Sequence, residues 1–130
     1  MNSSVVGKRE IWLLLTAASV LFTMWMVFQW VPTEQSLGIV QRALYVHVPL
    51  AWISMVAVVI VAGASVAYLR TGKQKWDSLA LSAAEVGVIA GTLMLITGSI
   101  WAKPIWNVRW TWDAKLTTTA ILWFLYVSYL

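Results

Sequence analysis

Four of the chain's ten tryptophans fall within twelve residues: Trp101, Trp106, Trp110 and Trp112, with Asp113 directly after the last. Lys103, Arg109 and Lys115 are interleaved with them. An indole presents a flat apolar face and one N–H donor, so it suits a membrane surface or a flat aromatic guest. Indoles flanked by cations suit a guest that is planar, apolar and anionic. His47 is the only histidine, and its imidazole is the one side chain here suited to ligating a transition metal through nitrogen. Cysteine is absent, which rules out disulfides, thiolate metal sites and covalent haem attachment through Cys-x-x-Cys-His for this chain.

The elements that must carry these residues are apolar. Of 130 residues, 61% are hydrophobic and 11% charged, and the mean hydropathy is +0.78. Water-soluble domains have roughly 25% charged residues, so the composition points to a membrane protein. About 20 apolar residues in a helix cross a bilayer. Three runs meet that length: Ile11–Val31 without charge, Leu44–Leu69 with only His47 ionisable, and Leu79–Ile100 with only Glu85. Pro49 suits a first helical turn, where its missing N–H costs nothing, so the second span is predicted over 49–69 with His47 just before it. A fourth apolar run, 116–130, makes about 22 Å of helix and reads as a truncated span. The expectation is an all-α, polytopic transmembrane bundle forming a single integral membrane domain over 1–130. Its spans are 11–31, 49–69, 79–100 and 116–130, with a Trp-rich external interfacial segment. The chain is expected to be an N-terminal piece of a larger protein, its first span retained and not a cleaved signal.

Lys8, Arg9, Arg70, Lys73 and Lys75 fall on one side of alternating spans, and Arg42, Lys103, Arg109 and Lys115 on the other. With the tryptophan loop set aside as a ligand site, the positive-inside rule puts the N-terminus in the cytoplasm. Segments 32–42 and 101–115 then lie outside, at the same depth as His47. The net charge of +4 is accounted for by these flanks and calls for no nucleic acid.

A short interfacial helix from Pro104 to Trp112 would put Trp101, Ile105, Val108 and Trp112 on a lipid-facing stripe. Trp106, Arg109, Trp110 and Asp113 would look outward. A porphyrin stacked on the outward indoles would meet Arg109, Lys103 or Lys115 with its propionates, and a nearby histidine would supply an axial nitrogen. An aromatic belt, with Asp113 merely capping the fourth span, explains the same residues and is the commoner occurrence. The residues alone leave both readings open.

Two motifs carry a resemblance. Tyr45-Val-His47-Val-Pro49-Leu-Ala-Trp52 and Thr97-Gly-Ser-Ile-Trp101-Ala-Lys-Pro104, followed by Trp106 and Trp110-Thr-Trp112-Asp113-Ala-Lys-Leu-Thr117, resemble the haem-handling membrane proteins with a tryptophan-rich "WWD" segment. Within that superfamily the chain is similar over its whole length to the CcmC family of cytochrome c maturation proteins. The related cytochrome c synthases usually follow Trp-Asp with Pro-Val-Glu-Asn, where this chain has Ala-Lys-Leu-Thr.

The resemblance implies a protein of the cytoplasmic membrane that binds haem b non-covalently and transiently at the outer face. It implies delivery to a membrane-anchored haem chaperone, together with ABC-transporter subunits and a small membrane subunit, and no catalysis of its own. His47 matches the first of two external histidines, as an axial ligand of the haem iron. Trp101, Trp106, Arg109, Trp110, Trp112 and Asp113 fall in the haem-binding segment. Two departures are Ala102, where Gly is frequent, and Arg109, where Trp is common. The alternatives are a haem lyase of the same superfamily and a structural subunit with an aromatic belt.

Glu85 is an intramembrane carboxylate, expected to be structural or protonated, with Arg70 or Lys73 as alternative partners. Gly87, Gly91 and Gly98 with Ala83, Ala84 and Ala90, and Gly63, Ala64 and Ala67, are expected to let the third and second spans pack closely.

Overall fold

A computed structural model describes residues 3–130, with side chains from Gly7 onward. Four α-helices follow one another: α1 Ser3–Trp25, α2 Leu44–Thr71, α3 Gln74–Trp106 and α4 Ala114–Tyr129. Three helical stretches, Gly7–Trp30, Ile39–Thr71 and Gln74–Trp106, are long and apolar enough to cross a membrane. This is a multi-pass helical membrane architecture, with a shorter fourth helix.

The chain forms two compact units, 1–42 and 43–130. In the first, α1 passes into a π-helical turn over Met26–Trp30, closed by Val31 N–H on the Met26 carbonyl at 3.0 Å. Arg42 caps this end by donating to the carbonyls of Phe28 at 2.7 Å and Val31 at 3.4 Å. The Glu34 carboxylate accepts from the Ser36 hydroxyl and from the N–H groups of Ser36 and Leu37. Those bonds, the Ser36 hydroxyl foremost, hold its pKa below the ordinary value. The turn closes at Gly38, whose φ of 59° is left-handed.

In the second unit, α2 and α3 are an antiparallel hairpin. Gly72, at φ 62°, ends α2 and donates to the Tyr68 carbonyl at 2.8 Å. The seam is made of small side chains: Ala57, Val61 and Ala64 on α2 against Ala80, Ala84, Gly87, Ala90 and Gly91 on α3. Residues three or four apart share one helix face, so the two backbones approach along these stripes. A Cβ on Gly87 would stand 3.0 Å from that of Ala57. Small residues at a seam allow the close van der Waals contact that holds helices together in lipid, where no water drives association. Gly63 has open space around it and is not part of the seam. The α4 helix packs on α3 through Trp123, whose indole N–H donates to Thr92 Oγ1 at 2.9 Å. Tyr126 donates to the Val58 carbonyl of α2 at 3.3 Å.

Three expected boundaries change. The second span does not begin at Pro49: α2 starts at Leu44, and Pro49 lies inside it, so His47 is a helical residue. A single lost amide bond near a helix start is outweighed by the apolar face that the whole helix buries. The helix that carries the third span extends beyond 79–100 at both ends, running from Gln74 to Trp106. The interfacial helix from Pro104 does not exist. Helix α3 continues through Pro104 and stops at Asn107, whose φ of 58° is the left-handed geometry that terminates helices.

Candidate functional site

Residues 107–113, between α3 and α4, form an irregular segment held at both ends by side-chain caps. At the first, Lys103 Nζ donates to the Asn107 carbonyl at 2.8 Å and to its Oδ1 at 2.9 Å. At the second, Asp113 is the N-cap of α4, with Oδ1 accepting from Leu116 N–H at 2.9 Å and Oδ2 from the Thr111 hydroxyl at 2.6 Å. The Thr111 bond first, and the Leu116 bond next, hold the Asp113 carboxyl below its ordinary pKa, so it is ionised at neutral pH.

The tryptophans pair edge to face: Trp101 with Trp106 at 4.9 Å between ring centroids, and Trp110 with Trp112 at 5.6 Å. The two stripes expected of a helix, with Trp101 and Trp106 on opposite faces, are therefore overturned. The helix ends at Trp106, so no 3.6-residue period relates Trp106 to Trp110 or Trp112.

His47 reaches the same region from α2. Its Nδ1 lies 3.1 Å from the Met94 carbonyl oxygen and 3.2 Å from Thr97 Oγ1. A carbonyl oxygen only accepts, so Nδ1 carries the ring proton. The Thr97 hydroxyl directs its own proton to the backbone, with the Leu93 carbonyl at 2.8 Å and the Met94 carbonyl at 3.2 Å, leaving its oxygen free to accept as well. In the neutral ring this tautomer puts the lone pair on Nε2, the form in which imidazole ligates a metal.

A cavity of about 840 Å³ opens between α2, α3, α4 and the irregular segment. That volume lies within the range of small-molecule sites, roughly 300–1,000 Å³. His47, Trp101, Trp106, Arg109, Trp110 and Asp113 all border it, as does Lys115. Trp112 does not: it is 78% exposed and stands outside, against Trp110. Lys103 is also off the wall, occupied in capping Asn107, which leaves Arg109 and Lys115 as the cations facing the cavity. Away from the tryptophan segment the wall is mostly apolar, with Ala51, Met55, Val58, Leu95 and Leu122, interrupted by Ser54, Thr119 and Tyr126.

The family profile described as heme exporter protein C, CcmC, matches residues 3–130. The chain belongs to the CcmC family. The heme exporter protein C of Escherichia coli K12 is 37% identical over 119 residues, 90% of this chain and 48% of that protein. A ccmC-like mitochondrial protein of cytochrome c biosynthesis from Marchantia polymorpha is 35% identical over 114 residues, 88% of this chain and 48% of that one. The heme exporter protein C of Bradyrhizobium diazoefficiens is 35% identical over 97 residues, 75% of this chain and 37% of that protein. The chain spans about half the length of these relatives or less.

The cavity of this CcmC-family chain fits a haem in three respects. It brings one imidazole, held through Nδ1 with Nε2 not engaged in that contact, to the same space as the indoles. Its two cations lie at the tryptophan end, where carboxylates of a guest would be met, and its apolar depth suits a porphyrin edge. The indole N–H groups of Trp101 and Trp110 are buried without an acceptor. Unmatched buried donors cost about 1–3 kcal/mol each, a cost that acceptor oxygens of a guest would relieve. Sequence reasoning missed Met94, Thr97 and Gly98 as neighbours of His47, because helical packing alone brings them there. It also took Pro104 as a helix start when Asn107 was the stronger signal, a helix stop. Glu85 is exposed on α3 and pairs with neither Arg70 nor Lys73 among the described residues.

Proposed function

We propose that this chain is the haem-holding half of a cytochrome c biogenesis factor, binding haem between His47 and the tryptophan segment. The observation that carries the reading is the single cavity bordered by His47, Trp101, Trp106, Arg109 and Trp110. The names of its relatives, heme exporter protein C and ccmC-like protein of cytochrome c biosynthesis, agree with it. His47 supplies an axial nitrogen to the iron, Trp106 and Trp110 flank the porphyrin, and Arg109 and Lys115 meet the propionates. The haem is cargo, held as haem b without covalent bonds. It passes to a membrane-anchored haem chaperone, with ABC-transporter subunits and a small membrane subunit as further partners. The protein makes no bond itself. With the N-terminus in the cytoplasm, the cavity mouth faces the outer side of the cytoplasmic membrane.

The test is haem content and absorption spectrum of the purified protein. Wild type shows a Soret band, and His47→Ala shifts it or reduces haem occupancy by tenfold or more, the loss of one metal–ligand bond. Unchanged occupancy and spectrum in that variant would sink the reading. Covalent haem on a co-expressed apocytochrome, with no other maturation protein present, would favour a lyase instead.

A further inference from the structure

We propose that Met94, Thr97 and Gly98 of α3 are a positioning device for His47, setting its tautomer and ring angle through uncharged acceptors and so keeping it a ligand of moderate strength. The proposal rests on the reading of the cavity as a haem site, and it assigns work to residues that touch the imidazole and not the cargo.

Gly98 makes the seat. A Cβ at this position would stand 2.9 Å from His47 Cε1 and 3.4 Å from Nδ1, closer than ring carbon and methyl can approach. The imidazole therefore lies directly on the backbone of α3. Gly98 is also the residue whose amide closes the helical turn onto Met94. With no side chain there, the Met94 carbonyl stays reachable from outside the helix: His47 Nδ1 approaches it at 3.1 Å, and it also accepts from the Thr97 hydroxyl at 3.2 Å. Thr97 supplies the second acceptor at 3.2 Å. Its hydroxyl proton is engaged with the backbone carbonyls of Leu93 at 2.8 Å and Met94 at 3.2 Å, which leaves the oxygen as an acceptor for the ring. One glycine thus opens both the space and the carbonyl, and one threonine locks the angle.

The chemistry of these acceptors sets the strength of the ligand. An acceptor on the far nitrogen fixes which nitrogen binds metal, and a carboxylate there pushes the imidazole toward imidazolate and tightens the bond. Among the described residues no carboxylate bonds to His47; its acceptors are an amide carbonyl and a hydroxyl. Neutral acceptors orient the ring without that added basicity. A haem that must be handed on calls for such a ligand: aimed, but releasable.

The test is haemin titration of the purified protein in detergent, with the iron–imidazole stretching frequency of the ferrous adduct read by resonance Raman. Thr97→Val keeps the shape and removes the acceptor. It should weaken haemin binding about tenfold or more, the usual cost of a lost outer-shell partner, and lower the stretching frequency. Thr97→Ser should restore both, which a merely structural threonine would not require. Gly98→Ala should lose at least as much affinity, and if it fails to fold, the valine and serine pair still decides. Wild-type affinity and frequency in Thr97→Val would overturn the positioning role while leaving His47 as ligand, provided that His47→Ala has lost its haemin. If His47→Ala also binds haemin as wild type does, the haem site and the positioning device fall together.

Discussion

His47 and the tryptophan segment border one cavity, yet they rest on different kinds of support. The imidazole is placed by residues 47 and 50 positions away along the chain, through the packed seam of α2 on α3. Trp101 and Trp106 ride on α3 itself, whereas Trp110 and Trp112 are placed by caps that reach four residues or fewer: Lys103 onto Asn107, Thr111 onto Asp113, and Asp113 onto Leu116. A helix seam of alanine and glycine has little slack, because small side chains leave no rotamers to adjust. A segment tied only by exposed polar caps can shift without disturbing the helices on either side. The imidazole end is thereby rigid and the Trp110–Trp112 segment adjustable, an arrangement suited to orienting one side of a flat guest while the other side opens to admit or release it.

The most damaging way to break this contrast is to wedge the seam. Gly87→Leu places a side chain where a single Cβ already meets Ala57 at 3.0 Å. It should destabilise the protein by about 1–3 kcal/mol, as overpacked cores do, and should lower haem occupancy although residue 87 is three turns from Gly98. Thermal unfolding in detergent with parallel haem assay checks both. An unchanged melting temperature would mean that the seam is looser than its geometry, and that rigidity is not what distinguishes the imidazole end.

Asp113 sharpens the contrast from the other side. Its folded pKa is lowered by the Thr111 and Leu116 bonds, so the ionised cap favours the folded state. That contribution is fully present above the ordinary carboxylate value of 3.8 and fades as pH falls through the lower folded value. Asp113→Asn keeps an acceptor for Leu116 but has no charge to lose. The stability advantage of wild type over Asp113→Asn should therefore be constant near neutral pH and shrink below about pH 4. Unfolding followed between pH 7 and 3 measures it. Asp113→Ala should loosen the indoles while leaving the His47 contacts intact, seen as altered tryptophan fluorescence with an unchanged iron–imidazole signature.

The smallest effect separates two neighbours in the same pair of rings. Trp110 borders the cavity and Trp112 stands outside it. An edge-to-face pair is worth about 0.5–1.5 kcal/mol beyond burial, so Trp110→Ala should weaken haemin binding up to about tenfold. Trp112→Ala, which removes only the support behind Trp110, should weaken it less. Equal losses in a haemin titration would show that both indoles touch the guest and that the segment closes further than the structure has it.

Much of the architecture was legible in the residues. Long apolar runs broken by Arg70–Lys75 and by the Lys103–Lys115 segment can only be membrane helices and their ends, because an unpaired main chain is too costly in lipid. Asp113 before Ala-Lys-Leu announced a helix start through local hydrogen bonding alone. The boundaries were less legible at the prolines. Both Pro49 and Pro104 lie inside helices, because the loss of one amide bond is small beside the apolar surface that each helix buries.

By itself the sequence determined the kind of element, the membrane setting and the clustering of indoles with cations, since all three depend on composition and on neighbours in the chain. Only the tertiary structure decided which tryptophans border the cavity, which cations are free to face it, and where His47 rests. Gly98 could be read as one more small residue for helix packing. Its use as the seat of an imidazole depends on the register of α2 against α3, and that register is set by the summed contacts of the whole seam and not by any local pattern.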